Sequence, residues 1–177
     1  MEYKNENGRN ALLRRGIEGV IKFPVGMLSH LRSSLLQDLS REQFALLLAR
    51  REPDGGAALC CVTDMRLFGA ADLEGQGAAS LHIRKDRVLD VLMEVQSRVD
   101  ADMILDVHTH PFSETAAIFS SIDDRDEREF SAYLAQEFPD VGYGSIVLSQ
   151  REYDARIWIY NEGQICPMAA EITCPVT

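Results

Sequence analysis

Hydrophobic residues recur every three or four positions in several parts of the chain, and this spacing predicts helices. Residues 25–38 and 84–99 each carry such a stripe, which is typical of an amphipathic helix. Residues 120–138 open with Ser and Asp, place acids in their first turn and carry an apolar stripe of Phe130, Tyr133, Leu134 and Phe138. These features predict a third helix, with the strongest helix signature in the chain.

Short apolar runs between these segments predict β-strands. The runs EQFALLLARRE and AALCCVTDMRLFG flank the turn signal PDGG, so they predict a hairpin. ADMILDVHTH follows the second helix, and GSIVLSQ, ARIWIYN and the weaker CPMAAEIT follow the third, whereas the glycine-rich GAADLEGQGAAS predicts a loop. Because helices and strands interleave, we expect an α/β fold in which a mixed central β-sheet is flanked by helices.

The length and the termini bound the class of protein. A chain of 177 residues fits one domain, and we expect an N-terminal arm over residues 1–20 and one domain over residues 21–177. No window approaches the ~18 consecutive apolar residues of a membrane span. The polar start MEYKNENGRNALLRRG lacks the apolar core of a secretory signal. We therefore expect a cytoplasmic protein with no membrane partner.

Charge and cysteine content exclude further classes. The formal net charge is −10, and nucleic-acid binding takes clustered Lys and Arg, so we expect no nucleic-acid partner. A basic protein partner would suit the negative field better. The four cysteines include no CxxC pair, which argues against a zinc ribbon or a dithiol redox site. We interpret them as buried small apolar residues.

The stretch DVHTHPF holds two of the four histidines one residue apart at the end of a predicted strand. Alternate residues of a strand point to one face, so His108 and His110 can present two imidazoles to one point. Pro111 keeps His110 out of helical geometry and ends the strand. A catalytic zinc takes three protein ligands and keeps one position open. Asp123 and Asp124, in the acidic first turn of the next helix, are the candidates for the third ligand.

The start of that helix also has a purely structural interpretation. Ser120 followed three residues later by Asp123 is a capping box, and a pair of histidines can be an ordinary strand end. One helix can, however, be capped by Ser120 and bind a metal through Asp123, so a metal site is favoured. Ser121 with Asp124 is the alternative to Ser120 with Asp123.

The residues HTHP at 108–111 and SSID at 120–123 resemble the signature of the JAMM zinc metallopeptidases. Enzymes of this family cleave peptide or isopeptide bonds after ubiquitin and ubiquitin-like proteins. The resemblance covers about residues 25–160 and implies a cytidine-deaminase-like JAB/MPN fold with one zinc ion per chain. The nine residues 111–119 form a longer spacer than the commonest family form, so the Ser121 and Asp124 alternative stays open.

The resemblance assigns roles to individual residues. It implies that His108, His110 and Asp123 bind the zinc that activates a water. By the same resemblance, Glu42 in SREQFALLLA is the catalytic base that passes a proton to the leaving amine, and Ser120 stabilises the oxyanion.

Three other residues have side chains suited to catalysis or metal binding. Glu52 is a competing base, but it lies beside the PDGG turn at the far end of its strand. His30 on the first helix and His82 at a loop edge have no ligand-like neighbour, so we interpret both as structural or surface residues.

The resemblance implies a ubiquitin-like protein and its conjugates as substrates, with E1-like and E2-like enzymes as partners. Deconjugation, precursor processing and removal of an amino acid from a sulfur-carrier protein all remain open. The alternative from another class is a non-catalytic scaffold subunit of such a conjugation system. A barrel phosphoesterase or amidohydrolase also carries Asp-x-His-x-His, but too little chain follows His110 for a barrel of that kind. A nucleoside deaminase requires His-x-Glu and Pro-Cys-x-x-Cys, which do not occur.

Overall fold

Strands make up most of the computed structural model, which describes residues 19–52, 58–76, 81–161 and 164–175. The strands are β1 (Gly19–Lys22), β2 (Phe44–Glu52), β3 (Ala58–Phe68), β4 (Leu73–Gln76), β5 (Leu81–Ile83), β6 (Met103–Thr109), β7 (Gly142–Leu148), β8 (Tyr153–Asn161) and β9 (Gln164–Thr173). The α-helices of these described ranges are α1 (Met27–Leu35), α2 (Lys85–Ser97) and α3 (Ser121–Glu137), and a 3-10 turn spans Ala70–Asp72.

Seven of the strands form a closed barrel in the order β1-β3-β2-β6-β7-β8-β9. The short strand β1 closes it, because Ile21 pairs with Cys60 of β3 on one side and with Ile172 of β9 on the other. Both of these pairings are parallel, as is that of β6 with β7, and the remaining neighbours are antiparallel. Strands β4 and β5 form a separate two-stranded sheet.

The two faces of the barrel strands bury different clusters. Alternate residues point to opposite faces, so Leu47, Leu105 and Ile146 fill the interior together with apolar residues from all seven strands. Residues of the opposite parity, such as Leu46 and Ile104, pack outward against α2 and α3. One outer face of the barrel is therefore covered by two helices, and the same face carries the candidate metal-binding residues.

The predicted fold class was wrong. The expected α/β fold was a mixed central sheet flanked by helices, with a cytidine-deaminase-like JAB/MPN architecture, whereas the chain forms a closed seven-stranded barrel. The sheet is mixed, but its two edges are joined by β1, whose first residues Gly19 and Val20 lie within the predicted arm. Closure lets the side chains of opposite strands bury one another on the inner face, where Leu31 and Leu35 of α1 join the same cluster.

Most single elements match the sequence expectation. The three helices form, and β2 pairs with β3 in the predicted hairpin, although the PDGG turn lies outside the described residues. The predicted loop GAADLEGQGAAS is wrong in part, because it includes a 3-10 turn and β4, which pairs with β5. None of the described helices has the length and apolar content needed to cross a membrane.

The cysteines were predicted as buried residues, and this is right only for Cys60. Cys61 and Cys166 are partly buried, and Cys174 is exposed. All four are free thiols. Burial raises the pKa of the Cys60 thiol to about 12, so this residue behaves as an apolar side chain of the barrel interior.

Candidate metal centre

Strand β6 presents Asp106 and His108 on the outer face of the barrel. Both share the parity of Ile104, which packs against the helices that cover this face. The amide N–H of His110 donates to Leu148 O at 2.8 Å, so the backbone keeps its pairing with β7 one residue beyond the end of β6. The two histidine rings consequently lie side by side, with centroids 5.1 Å apart.

The first turn of α3 brings a carboxylate to these rings. Ser120 is the N-cap, and its Oγ accepts a hydrogen bond from the Asp123 amide at 3.2 Å. In return, the Ser120 amide donates to Asp123 Oδ2 at 2.6 Å. This is the predicted capping box, and it fixes the rotamer of Asp123 toward the barrel.

The nitrogen and oxygen atoms of these three residues converge. Asp123 Oδ1 lies 3.5 Å from His108 Nε2, and Asp123 Oδ2 lies 3.7 Å from His110 Nε2. One ligand atom from each residue lies within 4.8 Å of the other two, and no second group of this kind occurs in the described part of the chain. The group could therefore hold a metal ion.

A metal ion would also satisfy an atom that the protein leaves without a partner. His108 Nε2 is buried and has no hydrogen-bond partner among the described residues, although a buried polar atom of this kind normally has one. Two imidazoles and one carboxylate form a ligand set that suits zinc and leaves a fourth position open. The donor set thus fits a catalytic metal better than a closed structural one.

The charges around the histidines also favour a bound cation. Burial by itself lowers the pKa of His108, but the nearby carboxylates of Asp106 and Asp123 outweigh burial and raise the pKa to about 10. Burial and the neighbouring His108 lower the pKa of His110. Despite its burial, Asp123 has a pKa well below the usual range because His108 and the Ser120 cap stabilise its charged form. The carboxylates attract a cation, and a metal would take the place of the proton on His108.

Glu42 lies near this group, two residues before the start of β2. The neighbouring Gln43 amide donates to Thr109 Oγ1 at 2.9 Å, and the Thr109 amide donates to Gln43 O at 3.1 Å, which fixes this end of β2 against β6. Burial raises the pKa of the Glu42 carboxyl, and the charges of His108 and Asp123 also act on it. Glu42 is therefore within electrostatic reach of the metal ligands without belonging to the ligand group.

One cavity of about 580 Å³ connects these residues. Its polar wall includes the three metal-binding candidates together with Glu42 and Ser120. Its apolar wall is formed by Phe44, Leu46, Leu81, Ile83, Val88, Phe112, Ile122 and Phe130. A chain segment bound there would have apolar contacts on one side and the candidate metal centre on the other.

The alternative ligand pair is not brought together with the histidines. Asp124 forms an ion pair with Arg156 Nη1 at 2.5 Å, and Ser121 is exposed in the first turn of α3. Glu52 lies exposed at the far end of β2. His30 on α1 and His82 on β5 are both exposed, in agreement with their interpretation as surface or structural residues.

A buried polar network lies behind the histidines, and sequence reasoning missed it. Asp106 lies 3.9 Å from His108 Nδ1 and accepts a hydrogen bond from the Tyr143 hydroxyl, whose pKa is raised by burial. Ser145 Oγ lies 2.7 Å from Asp106 Oδ1 and 2.9 Å from Glu127 Oε1. The spacing carried a usable signal, because residue 106 shares the strand face of His108 and residue 127 follows Asp123 by one helical turn.

Glu127 is anchored from the other side by strand β8. Arg156 Nε donates to Glu127 Oε2 at 2.7 Å, and Trp158 Nε1 donates to the same oxygen at 2.8 Å. The Arg156 guanidinium also stacks on Phe119, with its carbon 3.8 Å from the ring centroid. These contacts tie the first two turns of α3, and with them Asp123, to the barrel wall.

Comparison with known proteins extends to the fold only. No protein-family model matches the chain, and no curated protein matches it. The solution structure of protein DSY2949 from Desulfitobacterium hafniense is similar, with a TM-score of 0.52 and 13% sequence identity over 89% of this chain and 95% of that chain. At this identity, the similarity concerns the fold and carries no function across.

Proposed function

We propose that the protein is a zinc-dependent peptidase or isopeptidase that cleaves after the C-terminus of a ubiquitin-like protein. The observation that carries the proposal is the convergence of His108, His110 and Asp123 on one point, within 4.8 Å of one another, on a cavity that Glu42 and Ser120 also line. These are the five residues to which the JAMM resemblance assigns roles. The proposal rests on the site residues and makes no use of the overall fold.

The ligand group sets what a bound ion would contribute. A zinc ion held by the two imidazoles and the Asp123 carboxylate would supply the Lewis acidity that activates a water for attack on a carbonyl. Ionised Asp123 and neutral imidazoles are the protonation states in which these side chains bind a metal. The low pKa of Asp123 keeps its carboxylate available over the whole neutral range.

Glu42 has the properties of a general base. It lies on the cavity but outside the ligand group, so its carboxylate can accept a proton from the attacking water. Burial raises its pKa from the ordinary carboxyl value, which brings its basicity closer to that needed near neutral pH. The same carboxyl can then deliver the proton to the leaving amine.

Ser120 can act on the developing oxyanion. Its oxygen accepts the hydrogen bond of the helix cap, and this leaves the hydroxyl proton for a second partner. Ser120 also lines the cavity next to Asp123. A donor held in this way stabilises the charge that forms on a carbonyl oxygen, an effect often worth ~3 kcal/mol.

The first test is the zinc content of the purified protein by elemental analysis, beside a His108→Ala, His110→Ala double variant. We expect about one zinc ion per native chain and little in the variant, because a catalytic site of this type holds one ion. Absence of zinc in the native protein after supplementation would contradict the metal site and leave a non-catalytic binding subunit as the better hypothesis.

The second test is hydrolysis of a panel of substrates with Glu42→Gln as the decisive variant. The panel consists of ubiquitin and small ubiquitin-like sulfur carriers, each extended by a short C-terminal peptide. Glu42→Gln should keep its zinc and lose cleavage by about 10²- to 10⁴-fold, the usual contribution of a general base. Glu52→Gln, at the exposed far end of β2, is the matched control and should cleave like the native protein. Equal activity of both variants would remove Glu42 from the mechanism.

A further inference from the structure

Helix α3 and strand β6 face each other through two successive contacts. The first contact joins Asp123 to His108 at 3.5 Å. The second joins Glu127, one helical turn further along α3, to Asp106, two residues earlier on β6, through the hydroxyl of Ser145. The distance between Asp123 on the helix and His108 on the strand is therefore fixed next to a buried polar bridge, formed by Glu127, Ser145 and Asp106.

The bridge is centred on one buried hydroxyl. Ser145 is fully buried, and its Oγ lies 2.7 Å from Asp106 Oδ1 and 2.9 Å from Glu127 Oε1. A hydroxyl can donate to either of two neighbouring carboxyl groups. Ser145 thereby links the helix residue Glu127 to the strand residue Asp106.

Glu127 is also held from strand β8. Its Oε2 accepts from Arg156 Nε at 2.7 Å and from Trp158 Nε1 at 2.8 Å. Because Glu127 is only 5% exposed, these contacts and the contact with Ser145 set the position of its carboxyl group.

We propose that Glu127 is a positioning residue of the metal centre, whose hydrogen bonds to Ser145, Arg156 and Trp158 hold α3 and β6 at the distance required for metal binding. It acts on the metal through other residues. Asp106, at the end of the bridge, orients the His108 ring from its Nδ1 side, and the helix carries Asp123. Supporting groups of this kind typically contribute about 10- to 100-fold to metal affinity. The inference rests on the metal site of the proposed function and is independent of which bond is cleaved.

The test compares zinc affinity among variants of the full chain, by competition with a chromophoric chelator. Glu127→Gln replaces the carboxyl by an amide of the same shape, which can still bond to Ser145 and accept from Arg156, so it should weaken zinc binding less than Glu127→Leu does. Glu127→Leu and Ser145→Ala break the bridge and should each weaken zinc binding by about 10- to 100-fold. Glu129→Leu, which removes an exposed carboxyl of the same helix, is the control and should bind like the native protein.

Two further readouts separate positioning from a general loss of stability. The visible spectrum of the cobalt-substituted protein should change in Ser145→Ala and stay native in Glu127→Gln. Thermal unfolding of the metal-free proteins reports the structural effect alone. If Glu127→Leu does not fold, Ser145→Ala decides the matter.

The possible outcomes are distinct from those for the proposed function. Native affinity and a native cobalt spectrum in Ser145→Ala would overturn the inference and leave a zinc peptidase in place. Loss of affinity in Glu127→Gln as large as in Glu127→Leu would overturn the hydrogen-bonding role of Glu127. Weakened binding in a protein that cleaves none of the panel substrates would support the inference and contradict the peptidase. A native protein that binds no zinc would overturn both.

Discussion

Gly144 lies where two barrel strands leave no room for a side chain. It is a central residue of β7, and a Cβ atom built there would lie 2.6 Å from Leu105 Cδ2 and 2.8 Å from the backbone oxygen of Arg156. Carbon atoms in ordinary contact are about 3.5 to 4.0 Å apart, so the methyl group of Gly144→Ala is about 1 Å too close on two sides. The Arg156 oxygen belongs to the backbone of the paired strand β8 and cannot move away by a rotamer change.

The expected cost follows from the kind of atoms that must move. Overpacking in a core costs about 1 to 3 kcal/mol, and we expect the upper half of that range because β8 has to shift. For a domain of this size, 1 kcal/mol corresponds to about 2 to 4 °C in Tm. Gly144→Ala should therefore unfold about 4 to 12 °C below the native protein and at a clearly lower urea concentration.

The control is a glycine of similar context with ordinary space around it. A Cβ at Gly75 in β4 would have its nearest neighbour, His82 Cδ2, at 3.7 Å, which is normal contact. Gly75→Ala should change the unfolding free energy by no more than about 0.5 kcal/mol. If urea denaturation gave Gly144→Ala the same small change, the close packing of β7 between β6 and β8 would be refuted.

Two further predictions concern ionisable side chains elsewhere. Hydrogen bonding to Arg66 lowers the pKa of Asp64 to about 2, so its contribution to stability is present above about pH 4 and is lost as the pH falls toward 2. Asp64→Asn should lower the unfolding free energy by less than about 1 kcal/mol at pH 6, because the site is partly exposed. The difference from the native protein in urea denaturation should shrink by pH 3, and an undiminished difference would contradict the assignment. The exposed thiol of Cys174 should react with a chromogenic disulfide reagent in the native protein, and Cys60 only after unfolding; equal rates for the two would mean that the barrel interior is open.

Single elements were predictable because each depends on local periodicity. The stripe of Leu134 and Phe138 on α3 and the capping box of Ser120 and Asp123 are encoded within one or two helical turns. The pairing of β2 with β3 is likewise a contact between neighbours in the chain. Closure of the barrel is different in kind. It depends on the four residues of β1 pairing with β3 on one side and with the distant strand β9 on the other, and a segment of four residues has no periodicity to detect.

The site residues likewise include some that local sequence predicts and others that only the fold reveals. The histidine pair and Asp123 could be proposed from sequence because strand alternation and a helix cap dictate their directions. The Ser145 and Arg156 contacts could not, because they join strands whose order in the sheet was unknown before the barrel was seen. The preference for Asp123 over Asp124 came from the match of FSSID to the JAMM form, whereas the role of Asp124 as a partner of Arg156 required the fold.

The strand that closes the barrel has a consequence for biosynthesis. β1 is translated first but pairs with β9, which is translated last, as in the pair of Gly19 with Ala170. On the ribosome the nascent chain must therefore carry an open sheet with two unpaired edges until β9 emerges, and such edges favour contact with other chains. The candidate metal ligands are synthesised midway, on β6 and α3 and between them, and the partners β2 and β7 of β6 are complete before β9. The ligand cluster can thus assemble while the barrel is still open, and a metal ion bound at that stage would stabilise the nascent chain before its ends meet.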